Sequence, residues 1–207
     1  MQFLISDDHA IVRKGLKDLL QEAFPNAIFF EASSSQEAVT LATENEMDVI
    51  LLDISMPGRN GLDTLKQMRQ MGIKVPILML SMHSEDQYAV RVLKAGASGF
   101  INKETATDEL LAAVQQVLKG RRYITPTVAE KLIETVDSGQ KALHELLSDR
   151  EMHVLQRIAS GKTVSEIADE IALSVNTVST YRTRILEKLS LNNNAELTRY
   201  ALDNRLI

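Results

Sequence analysis

Residues 49–58 read VILLDISMPG, an apolar run that ends at the carboxylate of Asp53. A short apolar run bounded by turn residues is typical of a strand buried on both faces, as in parallel sheets. Open parallel sheets bind their ligands beyond the carboxyl ends of their strands. The stretch therefore predicts a parallel sheet with Asp53 at its ligand-binding edge.

Short apolar runs alternate with amphipathic stretches over the first 120 residues. In the amphipathic stretches, apolar residues recur at the three- and four-residue spacing of a buried helix face. Strands and helices in alternation predict an α/β flavodoxin-like fold, a doubly wound parallel sheet with helices on both faces. The predicted strands are 2–6, 27–31, 49–52, 77–80 and 99–101, and the predicted helices are 11–24, 36–45, 62–71, 87–95 and 108–118.

The pattern changes after Tyr123, where the alternation stops. We predict a first domain over 1–124, a linker with a short helix over 125–147, and an all-α four-helix domain over 148–207. Two helices of the last domain are joined by the brief turn 172–174 and form a helix-turn-helix. The predicted helices are 126–136 in the linker and 149–159, 164–171, 175–189 and 195–204 beyond it.

Two helix starts in the last domain have the spacing of a capping box. They are Ser148 with Glu151, and Thr163 with Glu166. In a capping box, the hydroxyl and the carboxylate satisfy free backbone donors of the first turn. The spacing therefore predicts that helices begin directly after Ser148 and Thr163.

The composition excludes several classes of protein. The 207 residues contain no cysteine, which excludes disulfides and thiolate metal sites. The N-terminus lacks the features of a signal peptide, and no apolar run approaches the roughly 20 residues of a membrane span. We expect a soluble, cytoplasmic protein with no membrane partner. A net charge of −5 argues against indiscriminate nucleic-acid binding, so any DNA contact must come from a local patch.

Polar side chains follow four of the five predicted strands. They are Asp7 and Asp8 after the first, Asp53 after the third, Ser81 after the fourth and Lys103 after the fifth. Three carboxylates together repel one another, and a hard divalent cation such as Mg²⁺ removes that cost. The lysine and the hydroxyl supply a counter-charge and a donor for an anion. The set therefore predicts a site of phosphoryl transfer in which a carboxylate attacks.

Residues 1–120 closely resemble the receiver domain of two-component response regulators. The resemblance implies that a sensor histidine kinase phosphorylates Asp53. It implies that Asp8 and Asp53 bind Mg²⁺ through their side chains, with Asp7 and the backbone carbonyl of Ser55 assisting. The matching pieces are Asp7-Asp8-His9, residues 52–58, Gly61-Leu62, Leu80-Ser81 and residues 95–103.

The same resemblance implies roles for further residues. Lys103 pairs with the phosphoryl group, Ser81 swings to hydrogen-bond it, and Phe100 rotates inward as the switch aromatic. We interpret His9 as a surface or capping residue. His83, two residues after Ser81, could tune dephosphorylation.

The helix predicted over 175–189 is the recognition helix, the member of the pair that enters the major groove. Val178, Tyr181, Ile185 and Leu189 form its buried stripe. Residues 175–190 contain three basic residues and one acidic residue, so the local charge is positive although the domain is not basic. The candidate DNA contacts are Arg182, Arg184, Lys188, Thr163 and Thr177 to phosphates and Ser179, Thr180 and Thr183 to base edges, with Asn176 beside them.

This domain resembles the LuxR-type helix-turn-helix that follows receivers in the NarL/FixJ subfamily. One departure is Ser179, which stands where the family often has a lysine. The segment 178–184 resembles the branch whose regulators act under large hybrid sensor kinases. The matching stretches are 147–151, 159–162, 166–168 and 174–189.

The two resemblances together predict a DNA-binding transcriptional regulator that is switched by phosphorylation. Phosphorylation biases homodimer formation, and a dimer presents two recognition helices to promoter half-sites about one DNA turn apart. We expect no enzyme activity beyond the receiver's own phosphoryl transfer and dephosphorylation.

Three alternatives stay open at this point. The first is a ligand-sensing LuxR-type regulator that phosphorylation does not control. The second is a metal-dependent phosphatase, although such enzymes place a second carboxylate two residues after the nucleophile, where this chain has Ser55. The third is a receiver that works without phosphorylation.

Overall fold

A computed structural model describes residues 1–56, 60–82, 85–137, 143–204 and 206–207. Pro57, Gly58 and His83 therefore lie outside the described residues. The chain forms two compact units, Met1–Glu130 and Lys131–Ile207. The division between them falls inside the segment 125–147 that the sequence predicts to be a linker.

The first unit is a five-stranded parallel sheet in the order β2-β1-β3-β4-β5, with helices between its strands, as the sequence predicts. The deciding stretch is the central strand β3, every residue of which is buried. Phe3, Ile5, Leu20 and Val114 belong to the core of this unit. The elements are β1 Gln2–Ser6, α1 Ala10–Ala23, β2 Ile28–Ala32, α2 Ser35–Glu44, β3 Val49–Asp53, α3 Gly61–Gln70, β4 Ile77–Ser81, α4 Glu85–Lys94, β5 Gly99–Asn102 and α5 Ala106–Leu118.

Two differences from the predicted strand bounds have local causes. The amide of Ala27 donates to the carbonyl of Phe24, so Ala27 belongs to the turn before β2. Asp53 is the last residue of β3 and pairs with Leu80 of the neighbouring strand β4. The phosphoacceptor candidate is therefore fixed by the hydrogen-bond ladder of the sheet rather than by a loop.

The second unit is all-helical. Val154, Ile167, Ile185 and Leu197 are fully buried in its core, one from each of the four α-helices described over residues 149–203. The last α-helix begins one residue earlier than predicted because Asn193 caps it, accepting from the amide of Glu196. The elements are α6 Pro126–Asp137, which spans the unit boundary, a 3-10 helix Leu143–Leu146, α7 Asp149–Ala159, α8 Val164–Glu170, α9 Val175–Leu189 and α10 Asn194–Asp203.

The buried stripe of α9 agrees with the prediction at three positions. Val178, Ile185 and Leu189 are buried, whereas Tyr181 is half-buried and packs at the rim of the core. Both predicted capping boxes are present, so α7 and α8 begin where the spacing indicates. Within the described ranges, the chain has no helix with the length and apolar character that crossing a membrane requires.

Candidate functional sites: an acidic pocket and a helix-turn-helix

The carboxyl ends of β1, β3, β4 and β5 bring the predicted receiver residues to one edge of the sheet. Lys103 Nζ lies 2.6 Å from Asp7 Oδ2 and 2.9 Å from Asp53 Oδ1. All three side chains are buried. Ser81 is buried beside them, and its carbonyl accepts from the amide of Lys103. A single ammonium thus bridges two carboxylates that the sequence separates by 46 residues.

Burial and charge set the protonation of this cluster. Burial raises the pKa of Asp53, and repulsion by Asp7 adds to the effect, while Lys103 and the amide of Ser55 oppose it. Burial alone would lower the pKa of Lys103, but attraction to Asp53 and hydrogen bonds to both carboxylates raise it. Lys103 is therefore held fully charged as the counter-ion of the pocket.

Asp8 and His9 form the outer side of the pocket. His9 Nδ1 lies 2.8 Å from Asp8 Oδ1 and 3.3 Å from Asp7 Oδ1. The imidazole is exposed, as expected of a surface residue, and although His9 occupies the N-cap position of α1 its side chain makes no capping hydrogen bond. His9 is thus a surface residue at the N-cap position, as the sequence analysis has it, and its ring faces the two carboxylates.

The donor set suits a hard divalent cation. Potential ligand atoms of Asp7, Asp8 and His9 lie within 4.8 Å of one another. Asp53 reaches this group through Lys103, and its buried Oδ2 makes no hydrogen bond within the described part of the chain. Buried carboxylate oxygens without donors are costly unless a cation joins them. The pocket therefore has both the oxygens and the electrostatic need for such an ion.

Phe100 and Ser55 stand where the sequence predicts. Phe100 lies opposite Met79 in the β4–β5 ladder and is buried, so its ring already occupies an inward position. The inward rotation stays a prediction. Ser55 is half-buried and presents its amide to Asp53, and the role of its carbonyl also stays a prediction.

Two residues at the pocket carry functions that the sequence analysis missed. Gly61 begins α3, and a Cβ there would lie 2.0 Å from the carbonyl oxygen of Asp53. Arg13 donates from Nη1 to the carbonyl of Asp7 at 2.6 Å and so ties α1 to the end of β1. The glycine directly before the helix predicted over 62–71 was the available signal for the first, and no sequence signal indicates the second.

The predicted DNA contacts lie on accessible parts of α8 and α9. Asn176, Ser179, Thr180, Thr183 and Arg184 are exposed, and Thr177 and Arg182 are half-buried. The hydroxyls of Thr180 and Thr183 donate to carbonyls one turn earlier, which leaves their oxygens as acceptors. Thr163 is exposed but its hydroxyl serves the capping box of α8.

Lys188 makes a contact within its own unit. Its ammonium lies 2.6 Å from Glu151 Oε2, and its contact with a DNA phosphate stays a prediction. Glu151 is 3% exposed, and the same oxygen accepts from the amide and hydroxyl of Ser148. The ion pair forms because a buried carboxylate requires a counter-charge, and Lys188 is the cation that α9 brings to it.

Comparison with known proteins gives the class to which this arrangement belongs. Residues 3–115 match the family model of the response regulator receiver domain, and residues 145–201 match that of the bacterial regulatory proteins of the luxR family. The chain therefore belongs to the response regulators, in the NarL/FixJ group that joins a receiver to a LuxR-type helix-turn-helix. It is a DNA-binding transcriptional regulator controlled by phosphorylation, which excludes the ligand-sensing alternative.

The similarity to individual relatives extends over the whole chain. The chain is 34% identical to response regulator UvrY of Escherichia coli K12 over 98% of its length and 94% of UvrY. It is 32% identical to response regulator GacA of Pseudomonas aeruginosa over 100% of its length and 98% of GacA. The structure is similar to that of RcsB from Salmonella enterica serovar Typhimurium bound to a promoter with the phosphomimetic BeF3⁻, with a TM-score of 0.61, 26% identity and coverage of 97% and 98%.

Proposed function

We propose that Asp53 accepts a phosphoryl group from a sensor histidine kinase, and that its phosphorylation promotes pairing of two chains on promoter DNA. The observation that carries the proposal is the buried Asp53 carboxylate, one oxygen of which contacts Lys103 while the other makes no hydrogen bond to any of the described residues. A carboxylate in this state is poised to gain a new partner. The hybrid type of kinase is supported by the resemblance of residues 178–184.

Transfer to Asp53 forms a bond between a carboxylate oxygen and phosphorus while the bond from phosphorus to the donor nitrogen breaks. Lys103 turns from Asp7 and Asp53 to the added phosphoryl oxygens, and the Ser81 hydroxyl donates to one of them. Asp8 and Asp53, assisted by Asp7 and the Ser55 carbonyl, would hold Mg²⁺, which neutralises charge on the transferring group. Attack by water on the phosphorus later breaks the new bond, releases inorganic phosphate and returns Asp53 to its free form.

The switch follows from these movements. Phosphorylation adds negative charge beside Ser81, the last residue of β4, and Lys103, which directly follows β5. Phe100 lies on β5 and is buried, so a shift of the strand moves its ring. The altered surface favours the homodimer, which presents two copies of α9 to half-sites about one DNA turn apart. A regulator of promoters acts in the cytoplasm.

Acetyl phosphate with Mg²⁺ tests the acceptor. We expect intact-mass spectrometry to show one phosphoryl group on the wild type and none on Asp53→Asn. Asp18→Asn, which changes an exposed aspartate of α1, is the matched control and gains the group like the wild type. Equal labelling of Asp53→Asn would show that another residue is the acceptor.

The recognition helix is proposed to bind with Arg182 and Arg184 on phosphates and Ser179, Thr180 and Thr183 toward base edges. An operator can be obtained by selecting genomic DNA with the phosphorylated wild type. Arg184→Ala should weaken binding and lower the salt slope of the association constant by about one. Arg199→Ala changes an exposed arginine of α10 and serves as the control. An Arg184→Ala salt slope equal to that of the wild type contradicts the assignment.

A further inference from the structure

Arg182 and Asn194 join the recognition helix to the start of the helix that follows it. Nε of Arg182 donates to Oδ1 of Asn194 at 2.6 Å. Arg182 lies in the middle of α9, and Asn194 is the first residue of α10. The contact therefore fixes an arginine side chain on the proposed DNA-binding helix from a separate element.

The geometry leaves the binding face of the guanidinium available. A guanidinium has five N–H donors in a planar fork, and the pair uses only the Nε donor. The two terminal Nη groups make no hydrogen bond to the described residues, so they keep the donors that bind phosphate in a bidentate manner. Because Nε is anchored, the plane of the fork is set before DNA arrives, which reduces the side-chain entropy that binding would remove.

Asn194 is not needed to begin α10. Asn193 is the N-cap and accepts from the amide of Glu196. The Glu196 carboxylate in turn accepts from Asn193 Nδ2 and from the amide and side chain of Asn192. The hydrogen bond of the Asn194 side chain instead goes to Arg182, so its partner lies on another helix.

We propose that Asn194 is a positioning residue for DNA recognition, which holds the Arg182 guanidinium in the orientation that grips a backbone phosphate. The inference rests on the proposed role of α9 in DNA binding. Asn194 acts through Arg182 and makes no DNA contact of its own. Removing Asn194 should therefore matter only while Arg182 is present.

A double-mutant cycle on the phosphorylated full-length chain tests this, with a duplex selected by the wild type as the probe. Asn194→Ala should weaken binding roughly twofold to fivefold, the scale of one exposed charge-assisted contact. The same change should have no effect in the Arg182→Ala background. The salt slope should fall by about one in Arg182→Ala and stay unchanged in Asn194→Ala, which keeps the charge.

Asn193→Ala is the matched control. It removes the cap of α10, so its urea midpoint should fall while its Arg182–Asn194 contact persists. Asn194→Ala should keep the urea midpoint of the wild type and lose the contact. In ¹H–¹⁵N spectra, the Arg182 Nε–H signal should exchange slowly with water in the wild type and Asn193→Ala, and quickly in Asn194→Ala.

Three outcomes overturn the inference: wild-type affinity in Asn194→Ala, equal weakening by Asn194→Ala with and without Arg182, or an Nε–H exchange rate that Asn194→Ala leaves unchanged. If Arg182→Ala keeps the affinity and salt slope of the wild type, Arg182 is not part of the DNA interface, and the inference is then wrong as well. If Arg182→Ala loses affinity for DNA and Asn194→Ala does not, the inference is wrong while the proposed role of α9 in DNA binding stands.

Discussion

The Asp53 carboxylate sits where water cannot solvate its charge, and Lys103 is shared between it and Asp7. Burial raises the pKa of Asp53, so the pocket bears an electrostatic cost when Asp53 is ionised. In the function we propose, phosphorylation places the new charge outside the carboxylate, within reach of the same ammonium. At the scale of single residues, the proposed switch is therefore a change of partner for Lys103.

Gly61 packs with its Cα against the backbone of Asp53, and a larger residue at this position tests that contact. In Gly61→Ala the new Cβ would lie 2.0 Å from the Asp53 carbonyl oxygen and 2.9 Å from Ile54 Cα, so α3 or the end of β3 must shift. We expect a loss of about 1–3 kcal/mol in the free energy of unfolding. Urea unfolding measures the loss, and labelling by acetyl phosphate should slow with it.

Gly15 provides the control for that change. It lies exposed within α1, and a Cβ there meets no atom within 4 Å. Gly15→Ala should stabilise the chain by roughly 0.5–1 kcal/mol, because alanine loses less backbone entropy in a helix. If Gly61→Ala were as stable to urea as Gly15→Ala, α3 would not approach the backbone of Asp53 as closely as described.

The residues of the pocket could be predicted, but their contacts could not. Parallel strands end on one edge, so the polar residues after β1, β3, β4 and β5 had to converge. Which atoms meet depends on rotamers chosen by neighbours that are distant in sequence. The bridge from Lys103 to Asp7 and the ring of His9 on Asp8 are of this kind, and so is the pairing of Lys188 with Glu151.

At the scale of elements, the Glu151–Lys188 pair connects the start of α7 to the end of α9. Burial alone would raise the pKa of Glu151, but Lys188 and the donors of Ser148 outweigh it and hold the pKa below its usual range. A carboxylate with a lowered pKa stabilises the fold above its unfolded pKa of about 4.3, and the contribution is lost as pH falls through the folded value.

Lys188→Met should therefore destabilise the second unit by about 1–3 kcal/mol near pH 7, the cost of a buried carboxylate that loses a partner. The difference from the wild type should shrink between about pH 5 and pH 3, as Glu151 becomes protonated in both. Urea midpoints from far-UV circular dichroism across this range measure it.

Lys162→Met is the matched change at an exposed ion pair, that with Glu170. We expect it to cost less than about 1 kcal/mol. A Lys188→Met penalty as small as that of Lys162→Met, or one independent of pH, would mean that Lys188 is free to bind phosphate as first predicted.

Helix starts were more predictable than helix contacts. A capping box is a local hydrogen-bond pattern, so the spacing of Ser148 and Glu151 determined where α7 begins. The start of α10 was misplaced by one residue because Asn193 had two asparagine neighbours, and the sequence does not say which one caps. Only the contacts of Glu196 with Asn192 and Asn193 distinguish them.

At the scale of the whole molecule, one unit contains the acidic pocket and the other contains the recognition helix. Bulk charge does not indicate the DNA-binding function, since the net charge is −5 and residues 175–190 have only a local excess of basic residues, three against one acidic residue. The pattern of helices predicted the function instead, and the family comparison established it. The acidic pocket belongs to Met1–Glu130 and the recognition helix to Lys131–Ile207.

Mg²⁺ should therefore stabilise one unit and not the other. With the ion at ten times its dissociation constant, amide protection of β1 and β3 should rise by about tenfold, the linkage expected of a ligand that binds only the folded state. Protection of α9 should not change. Hydrogen exchange followed by mass spectrometry resolves the two, and Asp8→Ala should abolish the response. An equal rise in Asp8→Ala would place the ion elsewhere.

The central claim is that phosphorylation of Asp53 controls binding of DNA by α9. The most direct test measures the dissociation constant of full-length wild type and Asp53→Asn for the selected operator, before and after acetyl phosphate with Mg²⁺. We expect the wild type to bind roughly 5- to 150-fold more tightly after treatment, the usual range of coupling between two sites, and Asp53→Asn not to respond. A response of Asp53→Asn equal to that of the wild type would contradict the account.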